Sequence, residues 1–219
     1  MSLWIKICAN TSLEDARLAV DAGTDAVGFV FAPSPRLVTA EQVAAITSHL
    51  PAAVEKIGVF VDAALEEIEA TVRACRLTGV QLHSEAGPGT AAGLRARFGT
   101  GLRILRVVHF GAGAAEQAAA IAQDANVDAV LVDSRTATAV GGTGVTFDWA
   151  QARKTVFGGS GSVKLIAAGG LNPANVAEAI ATLRPWGVDV ASGVEAAPGR
   201  KDPAKVRDFV ANARATERG

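Results

Sequence analysis

Short β-branched runs alternate with alanine-rich amphipathic stretches along the whole of this 219-residue sequence, and that alternation is its strongest constraint on fold. The runs fall at Trp4–Ile7, Ala26–Phe31, Glu55–Phe60, Gly79–Leu82, Arg103–Val108, Ala129–Asp133, Lys164–Ala168 and Gly187–Ala191. Helical spacing occupies the intervals near 12–22, 40–49, 64–76, 89–98, 114–126, 148–156 and 175–183, with a last stretch near 205–216. Strands alternating with helices predict a parallel sheet, which must be covered on both faces or closed on itself. An open doubly wound sheet is usually smaller than this. Eight units therefore predict a closed (β/α)8 barrel, with residues 1–219 as a single domain. Ser12-Leu-Glu-Asp15 predicts a capping box at the first helix, with an aspartate in place of glutamate. Pro173 before Asn175 and Pro203 before Lys205 mark two more helix starts.

A weak internal repeat accompanies the alternation. Thr24-Asp-Ala-Val27, Val127-Asp-Ala-Val130 and Gly187-Val-Asp-Val190 open strands two, six and eight, and Gly79-Val-Gln-Leu82 opens strand four. Either one helix-to-strand turn has been used repeatedly, or the alternate strands share layers inside a barrel.

Composition narrows the function. Apolar residues make up 49 % of the chain, enough for a substantial core and too many for disorder. Twenty-one basic residues nearly cancel 22 acidic ones, leaving a formal charge of −1, so neither nucleic acid nor an anionic membrane is an expected partner. Cys8 and Cys75 form no Cys-x-x-Cys pair or disulfide framework, as in a reduced, cytoplasmic protein. The opening Met-Ser-Leu-Trp-Ile-Lys does not read as a signal peptide, and charges interrupt the alanine-rich runs before they could span a membrane. His49, His83 and His109 form no zinc motif, so no metal is expected.

The glycines are concentrated. Gly141-Gly-Thr-Gly144 follows strand six, Ala168-Gly-Gly-Leu171 ends strand seven, and Ser192-Gly-Val-Glu195 ends strand eight. Each cluster alone reads as a tight turn. On three consecutive loops at the C-terminal face of a barrel, they predict a cup whose backbone N–H groups hold a phosphate. Cys8 closes strand one and Asp133 closes strand six, at the strand ends where this fold carries catalytic groups. They could face each other as base and acid. A small buried cysteine and a loop-capping acid are the alternative.

At this point the chain resembles the phosphoribosylanthranilate isomerase family over essentially its whole length. The matching stretches are Lys6-Ile-Cys8, Gly28-Phe-Val-Phe31 with Ser34-Pro-Arg36, Gly58-Val-Phe60, Val80-Gln-Leu-His83 and Val132-Asp-Ser134. They continue with Gly141–Gly144 and Phe147-Asp-Trp149, Ala168-Gly-Gly-Leu171, and Gly187–Glu195 with Pro198-Gly199 and Lys201-Asp202. The resemblance implies a cofactor-free, metal-free Amadori rearrangement of a small phosphorylated substrate in tryptophan biosynthesis. It implies that Asp133 is the general acid, with a raised pKa, and that Cys8 is the general base, with useful thiolate at neutral pH. It assigns Arg36 to the anthranilate carboxylate, where a planar fork outperforms lysine; a solvated loop arginine is the alternative. Asp189 would touch the ribose or else be a strand-opening acid, and His83 would line the anthranilate end or else belong to the core. The phosphate would sit near Gly142, Gly144, Gly169, Gly170, Ser192 and Gly193. Cys75 is expected to pack only. The assembly is left open between monomer and homodimer.

Three departures from the family pattern stand out. Ala9-Asn10 follows Cys8 where glycine is usual, Ala191 replaces a serine, and Ser84 replaces a glycine after His83. Alanine resists a positive φ, so the first of these bears on the shape of the catalytic loop. Gly111-Ala-Gly113 and the 135–142 loop are candidate lids. Rival readings fit less well. The histidine-pathway isomerase relies on two aspartates, indole-glycerol-phosphate synthase needs a lysine and glutamate pattern that Lys6 and Lys56 do not reproduce, and a silent phosphosugar-binding barrel would lack the acid or the base.

Overall fold

The computed structural model describes residues 2–83, 88–134, 148–159 and 163–218. Strands β1 (Trp4–Ile7), β2 (Ala26–Val30), β3 (Glu55–Phe60), β4 (Gly79–Leu82), β5 (Arg103–His109), β6 (Ala129–Asp133), β7 (Lys164–Ala168) and β8 (Gly187–Val190) close into a parallel barrel in sequence order. The seam pairs the first strand with the last, Trp4 opposite Gly187 and Lys6 opposite Asp189. Helices α1 (Leu13–Asp21), α2 (Ala40–Thr47), α3 (Leu65–Ala74), α4 (Pro88–Phe98), α5 (Ala114–Ala122), α6 (Trp149–Thr155), α7 (Val176–Leu183) and α8 (Pro203–Ala215) follow the strands in turn. The expected barrel is present. β2 and β8 each stop one residue short of the run read from the sequence, and β5 continues one residue further.

The period of two along each strand sorts the core into two compartments. Ile104 and Val108 of β5 face outward into the layer between sheet and helices. Leu105 and Val107 face inward, where they pack with Trp4, Ala26, Ile57, Ala129, Leu131, Ile166 and Ala168. These inward side chains plug the barrel axis, leaving the C-terminal mouth for a site.

A short antiparallel hairpin, β9 (Glu195–Ala197) with β10 (Arg200–Lys201), lies between β8 and α8. Strands of three and two residues are too short to show a period, and the sequence reading passed over them. The capping box expected at α1 is only half formed. Ser12 Oγ accepts from the Asp15 N–H at 3.1 Å, but the Asp15 carboxylate accepts from the Lys201 backbone at 3.2 Å instead of turning back to Ser12. The reciprocal box sits at α2, between Thr39 and Gln42. Pro203 opens α8, capped by the Asp202 carboxylate on the amides of Ala204 and Lys205.

The sequence repeat resolves into two structural pairs, each related by half a barrel. Asp25 before β2 accepts from the Ile5 N–H at 2.7 Å and pairs with Arg214 at 2.7 Å. Asp128 before β6 does the same with the Ile104 N–H and Arg95, both at 2.7 Å. The other two members, Gln81 of β4 and Asp189 of β8, point into the barrel and both receive the ammonium of Lys6. Asp189 is therefore an interior acid of β8 rather than a strand-opening one.

An unfilled amide and a lost charged partner should cost about 1–2 kcal/mol. Asp25→Ala and Asp128→Ala are each expected to lose about that much in urea unfolding; a loss at one site without the other would show that the repeat does no matched structural work.

Candidate active site

The mouth of the barrel is a cleft lined by Cys8, Arg36, Gln81, His83, Asp133, Asp189 and the two loops Gly169–Leu171 and Ala191–Gly193. It brings together every expected site residue within the described part of the chain. Gly142 and Gly144, with the rest of Gly141–Gly144, and the 135–142 lid candidate lie outside the described residues. So does Ser84.

Cys8 follows the last residue of β1 and is buried, its N–H donating to Val190 O at 2.7 Å. Its carbonyl accepts from Lys201 Nζ at 2.6 Å. Asn10 then turns back onto β2, its backbone N–H donating to Gly28 O at 2.9 Å and its side chain to Ile7 O at 2.8 Å. Between these fixed points Ala9 takes φ +61°, in the left-handed region. The position after Cys8 is thus left-handed, with an alanine bearing the strain. Gly28 explains how the sulfur fits: a Cβ there would lie 2.6 Å from Cys8 Sγ and 2.9 Å from Lys6 Cε. Any larger residue at 28 would displace both side chains.

Asp133 ends β6 and is buried. Its register partner on β7 is Ala168, and the next residue is Gly169, at φ +83°, where a Cβ would fall 2.5 Å from the Asp133 carboxylate and 2.1 Å from Ser134 Oγ. The β7 loop can wrap over the acid only because that side chain is missing. Gly193 plays the matching part in the β8 loop, where a Cβ would meet the Leu171 carbonyl at 1.8 Å. The two loops thus interlock. His83, just past β4, is half-buried on the cleft wall, its ring tilted against His109 at a centroid distance of 5.9 Å. Cys75 lies away from the cleft and packs under α2, its thiol donating to Ala40 O at 3.3 Å.

Arg36 is not a solvated loop arginine. Its Nε and Nη2 grip Glu195 as a fork, at 2.8 and 2.6 Å. Glu195 also accepts from the Gly199 N–H at 3.3 Å and from Lys201 Nζ at 3.4 Å. Hydrogen bonding to Glu195 raises the Arg36 pKa, and although burial disfavours the Glu195 carboxylate, its cationic partners hold its pKa below the ordinary value. Deeper in the barrel Lys6 is completely buried, with Nζ 2.8 Å from Gln81 Oε1 and 3.0 Å from Asp189 Oδ1. Burial opposes its charge most strongly, yet Asp189 and Cys8 together outweigh that effect and the pKa is raised.

Burial pushes the Cys8 thiol up, against the lowering pull of Lys6 and Lys201. This runs against the expectation of ready thiolate, because removal from water favours the neutral thiol. An electropositive surrounding is present, but it does not overcome removal from water.

Lys6, Gln81, Glu195 and Lys201 are the site's polar frame, and sequence reading gave none of them a role. Lys6 had a signal, because it stands two residues before Cys8 on the same face of β1. Glu195 and Arg36 are joined across 159 residues and carry no local signature.

A family model described as N-(5'-phosphoribosyl)anthranilate isomerase matches residues 5–212. The curated isomerase of that name from Pelobacter propionicus is 45 % identical over 213 residues, covering 97 % of this chain and 96 % of the relative. The crystal structure of the phosphoribosyl anthranilate isomerase from Thermotoga maritima superposes with a TM-score of 0.84 at 35 % identity, over 97 % of this chain and 99 % of the other. Another isomerase structure, in complex with reduced 1-(o-carboxyphenylamino)-1-deoxyribulose 5-phosphate, reaches a TM-score of 0.81 at 34 % identity, over 97 % of this chain and 99 % of the other.

The strained alanine offers a direct check of the first loop. Ala9→Gly is expected to raise stability by about 0.5–1 kcal/mol, the usual result of removing a Cβ from a left-handed residue. A lower urea midpoint for this variant would contradict the described backbone.

Proposed function

Because the chain belongs to the N-(5'-phosphoribosyl)anthranilate isomerase family, we propose that it converts N-(5-phosphoribosyl)anthranilate into 1-(2-carboxyphenylamino)-1-deoxyribulose 5-phosphate, as in tryptophan biosynthesis. The observation that carries this reading is the meeting of Cys8 and Asp133, from opposite sides of the barrel, in one cleft that also holds Arg36 and the interlocked glycine loops.

Asp133 protonates the ribose ring oxygen. The C1–O bond breaks as the anilino nitrogen's lone pair forms the C1=N iminium. Cys8, as thiolate, takes the C2 proton, and the electrons of that C–H bond form C1=C2 while the iminium π pair returns to nitrogen. The resulting enolamine tautomerises, gaining a proton at C1 and losing the one on the C2 oxygen, to give the ketone. Both steps are general acid–base catalysis by fixed groups. Backbone N–H groups at Gly169, Gly170, Ser192 and Gly193 hold the phosphate, a task for which glycine allows close approach. Arg36 binds the anthranilate carboxylate through the edge of the guanidinium that Glu195 leaves uncovered, Asp189 contacts the ribose, and His83 lines the aromatic end.

Cys8→Ala and Asp133→Asn are each expected to abolish turnover while product-analogue binding survives. Normal turnover by either would overturn the assignment, and failure of the wild-type gene to rescue a tryptophan auxotroph lacking this step would overturn the activity itself.

Arg36→Met is expected to weaken binding of a carboxylate-bearing analogue by about a hundredfold or more, in line with a lost charge-assisted fork. Equal weakening for an analogue lacking the carboxylate would refute the anchor.

The raised thiol pKa sets the pH dependence. The base form is the minority below that pKa, so kcat/KM should climb with pH through the ordinary thiol range near ~8.5 and beyond it. A plateau already reached below neutrality would contradict this.

A further inference from the structure

Lys6 takes no part in the proton transfers above, yet its side chain is completely buried. An ammonium without water is strongly disfavoured unless it is paired, and an apolar side chain of similar length would fill the same space at less cost. Its position relates it to the base. Lys6 and Cys8 are two residues apart on one face of β1, and both side chains lie over the missing Cβ of Gly28, Cys8 Sγ at 2.6 Å and Lys6 Cε at 2.9 Å from that point. The ammonium is held from two other strands, by Gln81 Oε1 at 2.8 Å and Asp189 Oδ1 at 3.0 Å.

We propose that Lys6 is a positioning residue for the isomerisation: locked in place by Asp189 and Gln81, its ammonium is the counter-charge that allows Cys8 to become a thiolate. This rests on the reading of Cys8 as the base.

Among the described residues, the charged groups that face Cys8 include Lys6 from β1, Asp189 from β8, Lys201 from β10 and Arg36 from the loop after β2, with Asp133 of β6 in the same cleft. Lys201 and Arg36 share Glu195 and are engaged outside the barrel axis. Lys6 lies inside it, between Gln81 and Asp189. Its two fixed partners are one acid and one amide, so the Lys6, Asp189 and Gln81 group is neutral; an acid at 81 would add a second negative charge against the thiolate. The direction of the electrostatics agrees, Lys6 pulling the thiol pKa down and Asp189 pushing it up. When Cys8 ionises, its proton leaves to water in the cleft and Lys6 keeps all three of its own. The thiolate then takes the substrate's C2 proton and becomes a thiol again.

The test is a pH titration of the Cys8 thiol in the ligand-free protein, in a Cys75→Ser background, read by ultraviolet thiolate absorbance and by the rate of iodoacetamide alkylation. Lys6→Met should raise the titration midpoint by about one pH unit or more and lower kcat at neutral pH about tenfold or more, with a much smaller change in KM. Asp189→Asn should move the midpoint the other way. An unmoved midpoint in folded Lys6→Met protein would overturn the proposal. If that variant does not fold, Lys6→Gln decides in its place: a raised midpoint supports the proposal, and an unchanged or lowered one overturns it. Because the titration needs no turnover, its outcome is separable from the base assignment, which fails only if Cys8→Ala remains active.

Discussion

The seam between β1 and β8 is the contact on which the rest of the molecule depends. It joins the first strand to the last and so demands that all the intervening units be in place, a pairing between residues more than 180 positions apart. The same register sets Lys6 opposite Asp189, and the Cys8 N–H donates to Val190 O at 2.7 Å. Closing the barrel and placing Cys8 in its electrostatic surroundings are therefore one event. A chain that failed to close would have neither the buried ion pair nor a seat for the thiol.

Around that seam the site is built by leaving atoms out. Gly28 makes room for the Lys6 and Cys8 side chains, Gly169 for the Asp133 carboxylate, and Gly193 for the Leu171 carbonyl. Most of the polar groups packed around the site find partners. Lys201 illustrates this: fully enclosed, it donates to the carbonyls of Cys8 and Ala191 and pairs with Glu195, which grips Arg36. Burial lowers its pKa in spite of Glu195, and its bonds to the two carbonyls tie the hairpin that carries it to the ends of β1 and β8. One chain of contacts thus runs from the β1 turn to the arginine assigned to the substrate carboxylate.

Most of the fold was legible in the sequence because each strand–helix unit is locally consistent, with β-branched runs, alternating faces and turn residues agreeing with one another. The positions of Cys8, Asp133 and the glycine loops were legible for a related reason: they sit at strand ends, which the alternation marks, whereas Arg36 was legible only through the family resemblance. What escaped was whatever depends on pairing at a distance. Glu195 meeting Arg36, Lys201 reaching Cys8 O, and Gln81 joining Asp189 on one ammonium are products of closure and leave no local pattern. The ionisation of Cys8 escaped as well, since a thiol's burial and the balance of cations around it are properties of the packed barrel. Ala9 is the converse case. The sequence raised the doubt, and the backbone shows the alanine held at φ +61° by the hydrogen bonds on either side of it.

The central claim is that Cys8 and Asp133 work on opposite sides of one substrate held by Arg36 and the glycine loops. A crystal structure of this protein with the reduced product analogue bound tests it most directly. The account predicts the ribulose C2 against Cys8 Sγ, the C4 oxygen (the former ring oxygen) beside Asp133, the aromatic carboxylate on Arg36 and the phosphate among Gly169, Gly170, Ser192 and Gly193. An analogue bound in the reverse sense, or with C2 out of reach of the sulfur, would contradict it.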